Sequence, residues 1–231
     1  MKFKCLSTNK LKIIAMIAMT FDHIGAALLP QHLFIRSIFR IAGRLAMPVF
    51  CYLIVIGLFA TKDIRKYLTR LLIFALISEI PFDLAFHNTI IEFRSQNVFF
   101  TLMIGLFVIW LIEKEKMFFL RRSVLLSNLF ELLILCTGCA IAYFLKTDYT
   151  FFGVLMIYFF YECRFHAILS MLAQTAVYVL MGGIEVFAVF ALVPICMYNG
   201  EKGKNSKILK WCFYAYYPCH LLLIYMVRAF L

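Results

Sequence analysis

Residues 11–29 read LKIIAMIAMTFDHIGAALL. Coiled as a helix, this run is long enough to cross the roughly 30 Å hydrocarbon core of a bilayer. Its place after Lys2, Lys4 and Lys10 imitates a signal peptide, but Asp22-His23 interrupts it and no small-x-small cleavage site follows. It therefore reads as a permanent helix. Cutting the rest of the chain at its charge and turn clusters gives eight more apolar runs, at 33–60, 67–86, 96–112, 124–145, 150–162, 166–181, 184–198 and 209–231. The sixth to eighth span only 13 to 16 residues, which calls for little tilt, a locally thinned bilayer or a partly re-entrant path.

A chain with 65% hydrophobic residues and a mean hydropathy of +0.93 is not expected to be water-soluble. No internal repeat, linker or low-complexity tract divides it. The expected fold class is all-α: one polytopic integral membrane helical bundle of about nine transmembrane helices, multi-pass in the cytoplasmic (inner) membrane.

The net charge of +11 reads as topology, because the basic residues cluster between the apolar runs and do not form a nucleic-acid face. With a cytoplasmic N-terminus, 17 of them fall on the inner side: Lys2, Lys4, Lys10, Lys12, Lys62, Arg65, Lys66, Arg70, Lys114, Lys116, Arg121, Arg122, Arg164, Lys202, Lys204, Lys207 and Lys210. The outer side holds only Arg94, Lys146 and Arg228. Cys51, Cys136, Cys139, Cys196, Cys212 and Cys219 lie within apolar runs without loop spacing, and are expected to be reduced, buried hydrophobes.

An ionisable group at bilayer depth costs about 2.5–3.5 kcal/mol on insertion scales, so each one asks for a partner, a wet cavity or a chemical task. Asp22 and His23 lie in the first run, Arg36, Arg40 and Arg44 in the second, Glu79 and Asp83 in the third, and His220 in the last. Counting rise per residue from the inner ends puts His23, Glu79 and His220 roughly 17–18 Å deep, and Arg44 and Asp83 roughly 24 Å deep. That coincidence predicts one shared polar chamber. The arginines recur at every fourth position, on one helix face, where they grip an anion, pair with the carboxylates, or snorkel outward in the case of Arg36. Glu79 and Asp83 stand one turn apart around Pro81, either as counter-ions or to orient a histidine. His23 is the candidate proton acceptor, since imidazole tolerates burial in its neutral form. Asp22, its sequence neighbour, points about 100° away around the helix and need not be its partner.

Gln96-Asn97 and Asp148-Tyr149 either cap helices or meet a substrate, and Tyr198-Asn199-Gly200 either turns the chain or contacts a headgroup or cofactor. Trp211, Phe213, Tyr214, Tyr216, Tyr217 and Tyr225 read mainly as lipid-facing or packing aromatics. There is no Walker loop, paired Cys-x-x-Cys motifs, dinucleotide glycine motif or His-x-x-x-His, and no metal is expected.

Taken together, the motifs resemble those of the TraX family. The likeness is carried by Leu11-Lys12-Ile13-Ile14-Ala15-Met16 leading into Asp22-His23-Ile24-Gly25, and by Arg40-Ile41-Ala42-Gly43-Arg44-Leu45-Ala46-Met47-Pro48. It continues through Phe74-Ala75-Leu76-Ile77-Ser78-Glu79-Ile80-Pro81-Phe82-Asp83, Gln96-Asn97-Val98-Phe99-Phe100-Thr101-Leu102, Tyr198-Asn199-Gly200 and Tyr216-Tyr217-Pro218-x-His220-Leu221. The family is named after a conjugation protein that N-acetylates pilin, and it is similar to a wider superfamily of membrane acyltransferases. The resemblance implies acyl transfer from cytoplasmic acyl-CoA, acetyl-CoA first, to an extracytoplasmic hydroxyl or amine on a glycan, peptide or lipid. It implies His23 as base, with Asp22, Glu79, Asp83 and His220 in the catalytic set. Arg40, Arg44 and Asn199 would contact the CoA, and Arg36, Gln96, Asn97, Asp148 and Tyr149 the acceptor. One departure is Ile56, where an acid is expected before Gly57. Fold likeness does not carry the pilin substrate with it.

On this reading His23 takes the acceptor proton, Arg44 holds the oxyanion, and a carboxylate at 79 or 83 fixes the imidazole tautomer. A covalent acyl-histidine is the two-step variant. Two other classes compete: a proton-coupled transporter built on the same buried groups, and a scaffold in which the polar cluster only packs helices.

Overall fold

A computed structural model describes residues 4–119, 123–204 and 206–230. Lys2, Arg121 and Arg122 of the expected inner-face set lie outside the described residues, as do the Lys207 side chain and Leu231 at the end of the last run. The described chain is all-helical, with no strand beyond the isolated bridges Leu6↔Tyr198 and Gln96↔Thr147. In order the helices are α1 (Thr8–Ala27), α2 (Phe34–Gly43), α3 (Ala46–Ala60), α4 (Ile64–His87), α5 (Val98–Phe119), α6 (Val124–Phe144), α7 (Thr150–Glu162) and α8 (Ala167–Met181). A 3-10 helix (Gly183–Ala191), α9 (Leu192–Cys196) and α10 (Lys207–Phe230) complete them. Each expected run is therefore helical. Among the described residues two stretches, Phe34–Ala60 and Val124–Phe144, combine the length and apolarity needed to cross a membrane.

Two of the runs are not the continuous helices expected. The second breaks at Arg44-Leu45, between α2 and α3. Pro48 supplies the reason: it lacks an N–H and its ring clashes with the carbonyl four residues earlier, which is that of Arg44. The eighth run is mostly a 3-10 helix. Gly182 and Gly183 precede and open it with φ of 72° and 56°, and Pro194 removes a donor just beyond it.

Contacts divide the chain into two compact units. The first comprises Met1–Leu53, Leu76–Glu92 and Tyr178–Leu231, and the second Ile54–Ala75 and Phe93–Val177. In the second unit α5, α6 and α7 pack around glycines: a Cβ at Gly105 would meet Ile157 at 2.3 Å, and one at Gly138 would meet Val108 at 2.2 Å. Lys116 there joins Glu131 and Glu162 at 3.1 and 2.6 Å.

The first unit is organised by α1. Ser7 caps its start by accepting from Lys10 N–H. Leu11, Ala15, Ala18, Asp22 and Gly25 recur at three- and four-residue steps as a buried stripe. Gly25 brings α1 close to α2, and at Gly43 a Cβ would lie 2.2 Å from Asp22 Cβ and 2.7 Å from its Cα. Since backbone blocks any yielding there, Gly43→Ala should cost about 1–3 kcal/mol by overpacking. Thermal unfolding checks this. An unchanged melting temperature would mean that α1 and α2 are less tightly apposed.

As a correction to the cysteine reading, all eight thiols are free but Cys136, Cys196, Cys212 and Cys219 are exposed, and of the six named only Cys51 is buried. Helical phase decides this, because an apolar run does not reveal which of its faces meets the protein interior.

Candidate functional site

The first unit brings together side chains from the start, middle and end of the sequence. Arg44 lies at the break between α2 and α3, where its backbone N–H bonds Ile41 O at 3.1 Å. Its side chain is 5% exposed, and its two terminal nitrogens contact Asp22 of α1 and Glu185 of the 3-10 helix. Arg40, one turn earlier and 27% exposed, donates to the other Asp22 oxygen at 3.0 Å. Arg36 donates to the Gly25 carbonyl at 3.1 Å. The arginine row thus runs along α1, and α1 and α2 are antiparallel: 36 meets 25, and 40 and 44 meet 22.

Beside this ionic cluster, His23 Nδ1 lies 2.7 Å from His220 Nε2, with the rings stacked at 4.9 Å and 7°. His220 Nδ1 lies 2.9 Å from the Tyr216 carbonyl. A carbonyl only accepts, so His220 Nδ1 carries a proton. In neutral His220 Nε2 is then an acceptor, and His23 Nδ1–H donates to it. His23 Nε2 is left as a lone pair, and no described residue donates to it. With both imidazoles neutral, the geometry defines a chain of donors directed from His23 through His220 to the Tyr216 carbonyl. Phe86 and Tyr217 stand edge-on to His23 at 5.3 and 5.9 Å and hold its ring.

The pair is framed by α1 and α10, which run in parallel. Thr20 Oγ1 donates to Met16 O at 2.9 Å and so accepts from Tyr216 Oη at 2.6 Å. A cavity of about 350 Å³ lies against this frame, lined by Thr20, Tyr216 and His220 among aliphatic side chains that include Ile24, Leu28 and Leu223. That volume suits a small organic group in a mostly apolar setting.

Other expected site residues are placed differently. Asp83 is buried near the end of α4 and accepts from Glu92 N–H at 2.8 Å, so one of its oxygens closes the following loop. Glu79 is half-buried one turn before it. The carboxylates drawn onto the arginines include Asp22 and Glu185. Asn199 bonds Glu201 through both its amide atoms, at 3.0 and 2.9 Å, and its N–H reaches Leu6 O at 3.0 Å, which makes it a turn residue. Gln96, Asn97, Asp148 and Tyr149 belong to the second unit. There Asn97 caps α5 by accepting from Phe99 N–H at 3.0 Å and donating to Ala75 O at 2.8 Å. Gln96 and Asp148 share a backbone bond of 2.8 Å, and Tyr149, at φ 63°, precedes α7.

Glu185 and Tyr216 are the residues the sequence reading passed over. An acid isolated in GIEVFAVFA carries the same signal that singled out Glu79. Tyr216, read as a lipid-facing or packing aromatic, contributes its hydroxyl to Thr20 and its carbonyl to His220. Its place in the Tyr216-Tyr217-Pro218-x-His220 motif sets it apart from Tyr214, but the motif does not say which of its atoms is used.

Comparison with known proteins agrees with the motif pattern. The family profile described as TraX protein matches residues 7–228. The chain belongs to the TraX family. Among curated TraX-like relatives, the chain is 29% identical over 248 residues to a protein of Dichelobacter nodosus named "Probable fimbrial assembly protein FimC, serogroup H1", covering 97% of each. It is 38% identical over 96 residues to an uncharacterised protein of Rickettsia prowazekii (strain Madrid E), covering 41% of this chain and 33% of that protein. No solved structure matches. The quoted TraX-like motifs Asp22-His23, Arg40 to Arg44 and Tyr216 to His220 meet in the first unit.

Breaking a buried ion pair from one side is expected to cost about 3–5 kcal/mol, because the remaining charge stays buried. A double-mutant cycle of Asp22→Asn with Arg44→Gln should therefore show coupling above about 1 kcal/mol in unfolding. Additive effects would mean that the pair does not hold α1 to the α2–α3 break.

Proposed function

We propose that this protein is a membrane-embedded acyltransferase that moves an acetyl or related acyl group from acyl-CoA to a hydroxyl or amine acceptor on the opposite face. The observation that carries the reading is the His23–His220 bond, which leaves a lone pair on His23 Nε2 one residue along α1 from the Asp22 that Arg40 and Arg44 bind. Embedding in the membrane is supported by Val124–Phe144, an apolar helix away from the N-terminus of which only 17% is buried. Leu125, Leu129, Leu132 and Leu133 on it are exposed, an apolar face that lipid covers at no cost. We place the N-terminus in the cytoplasm and the remaining helical runs across or within the bilayer.

In the proposed reaction His23 Nε2 accepts the acceptor's proton as its oxygen or nitrogen attacks the thioester carbon. His220, held by Tyr216, keeps the His23 Nδ1–H oriented and shares the positive charge that forms. Arg40 suits the oxyanion better than Arg44, whose terminal nitrogens are both occupied. The carbon–sulfur bond then breaks, and His23 Nε2–H returns the proton to the departing thiolate. Asp22 and Glu185 are positioning residues that fix the guanidiniums. The fimbrial name of the Dichelobacter relative puts exported fimbrial subunits first among acceptors to try, ahead of glycans and lipids.

Proton-coupled transport is the second reading, favoured by the helix break at Arg44 and the 3-10 segment beside buried charges. Proteoliposomes loaded with labelled acetyl-CoA separate the two. His23→Ala should abolish label transfer, and His220→Gln should lower kcat about 100-fold with KM nearly unchanged. Coupled solute flux without consumption of acetyl-CoA would replace the enzyme by a transporter.

Sidedness is tested separately, in a variant lacking the native cysteines. Lys146→Cys should react with an impermeant maleimide from outside intact cells, and Lys62→Cys only after lysis. Labelling of both from one side would reverse the proposed topology.

A further inference from the structure

Four lysines of the first unit, Lys12, Lys202, Lys204 and Lys210, converge on a cavity of about 220 Å³ that also borders Asn9 and Phe213. Two come from the parallel helices α1 and α10, and two from the loop between α9 and α10. Residues 201 and 204 of that loop are tied to α1: Asn9 Nδ2 donates to Lys204 O at 2.7 Å, and Thr8 N–H donates to Glu201 O at 2.8 Å. Gly203, at φ 78°, lies so close that a Cβ would come within 2.9 Å of Ser7 Oγ. Lys12 passes 4.9 Å from the Phe213 ring centroid and is near enough to Lys202 for the two charges to repel. Glu201, the acid of this loop, is engaged by Asn199. Held like charges around a void are stabilised by an anion that fills it, and ammonium groups are point charges suited to phosphate.

We propose that this cavity binds phosphate groups, and that their source is the nucleotide end of the acyl donor. The second half of this statement rests on the acyltransferase reading. Along α1, Lys12 precedes His23 by 11 residues, about 16 Å of helix, and along α10 Lys210 precedes His220 by 10 residues, about 15 Å. The same two helices thus carry a phosphate site at one end and a proton acceptor part-way along. Their separation is one that an extended pantetheine arm spans. A donor anchored at the lysines would bring its thioester to the histidines without the nucleotide leaving the aqueous face.

The test uses the full chain in neutral phosphatidylcholine nanodiscs, with adenosine 3′,5′-bisphosphate titrated by calorimetry. The bisphosphate should bind. Lys202→Gln/Lys204→Gln and Lys12→Gln should weaken it by about tenfold or more while keeping the wild-type melting temperature, and His23→Gln should bind normally. In the transfer assay the same lysine variants should raise KM for acetyl-CoA with kcat nearly unchanged. Lysine-dependent binding in a protein that transfers no acyl group leaves the phosphate site standing and removes the enzyme reading. Transfer that is indifferent to the lysines removes the phosphate site alone. Lysine-dependent retention of phosphatidylglycerol by native mass spectrometry, without bisphosphate binding, overturns the donor assignment in favour of a lipid headgroup.

Discussion

The Arg44 guanidinium, 5% exposed and shared between Asp22 and Glu185, is the interaction on which the first unit depends. Desolvating a single charge costs several kcal/mol even after relaxation, so an unpaired arginine here would open the fold. Meeting that demand draws in three segments that are distant in sequence: α1, the α2–α3 break and the 3-10 helix. It also requires Gly43, because Asp22 can reach Arg44 only where α2 offers no side chain at the crossing. The helix interruptions follow from the same requirement. Pro48 ends α2 at the residue whose side chain must turn inward, and the glycines at 182 and 183 release the segment that delivers Glu185.

A second constraint aligns α1 with α10. Leu6 and Thr8 donate to Met197 and Glu201 at 3.0 and 2.8 Å, so the beginning of the chain is tied to the loop that leads into its last helix. From that tie the two helices run in parallel, and their matched positions are Lys12 with Phe213, Thr20 with Tyr216, and His23 with His220. Parallel packing of the two helices accounts for the lysine cavity, the hydroxyl pair and the imidazole pair alike. A helix slipped by one residue would rotate each side chain by about 100° and separate all three.

Much of this was legible before any coordinates. Asp22, His23, Arg40, Arg44 and His220 stand out because each is expensive in an apolar run; the depth count grouped His23, His220 and Arg44 with Glu79 and Asp83, and of these the structure bonds His23 to His220 while Asp83 secures a loop. Glu185 carried the same signal in a shorter run. Tyr216 carried only its place in the Tyr216-Tyr217-Pro218-x-His220 motif, since the atoms it contributes are a hydroxyl that any tyrosine has and a carbonyl that any residue has. The expected orientation of a histidine by Glu79 or Asp83 has a different counterpart in the structure, where the Tyr216 carbonyl sets the His220 tautomer and Asp83 secures a loop. Gln96, Asn97, Asp148 and Tyr149 show the limit of reading loops by composition, because capping and ligand binding use the same residue types.

The amino-acid order determined by itself that the chain is helical, where its helical runs lie, and which polar groups need partners. These follow from hydropathy, proline and glycine, whose effects act within one turn of the chain. Tertiary structure alone decided which partner each group receives: Asp22 turns to arginines and away from His23, and His23 finds an imidazole 197 positions later. The cost of burying a charge is a property of the residue. Its relief depends on distance and direction between helices, and those are set by packing that no single segment contains.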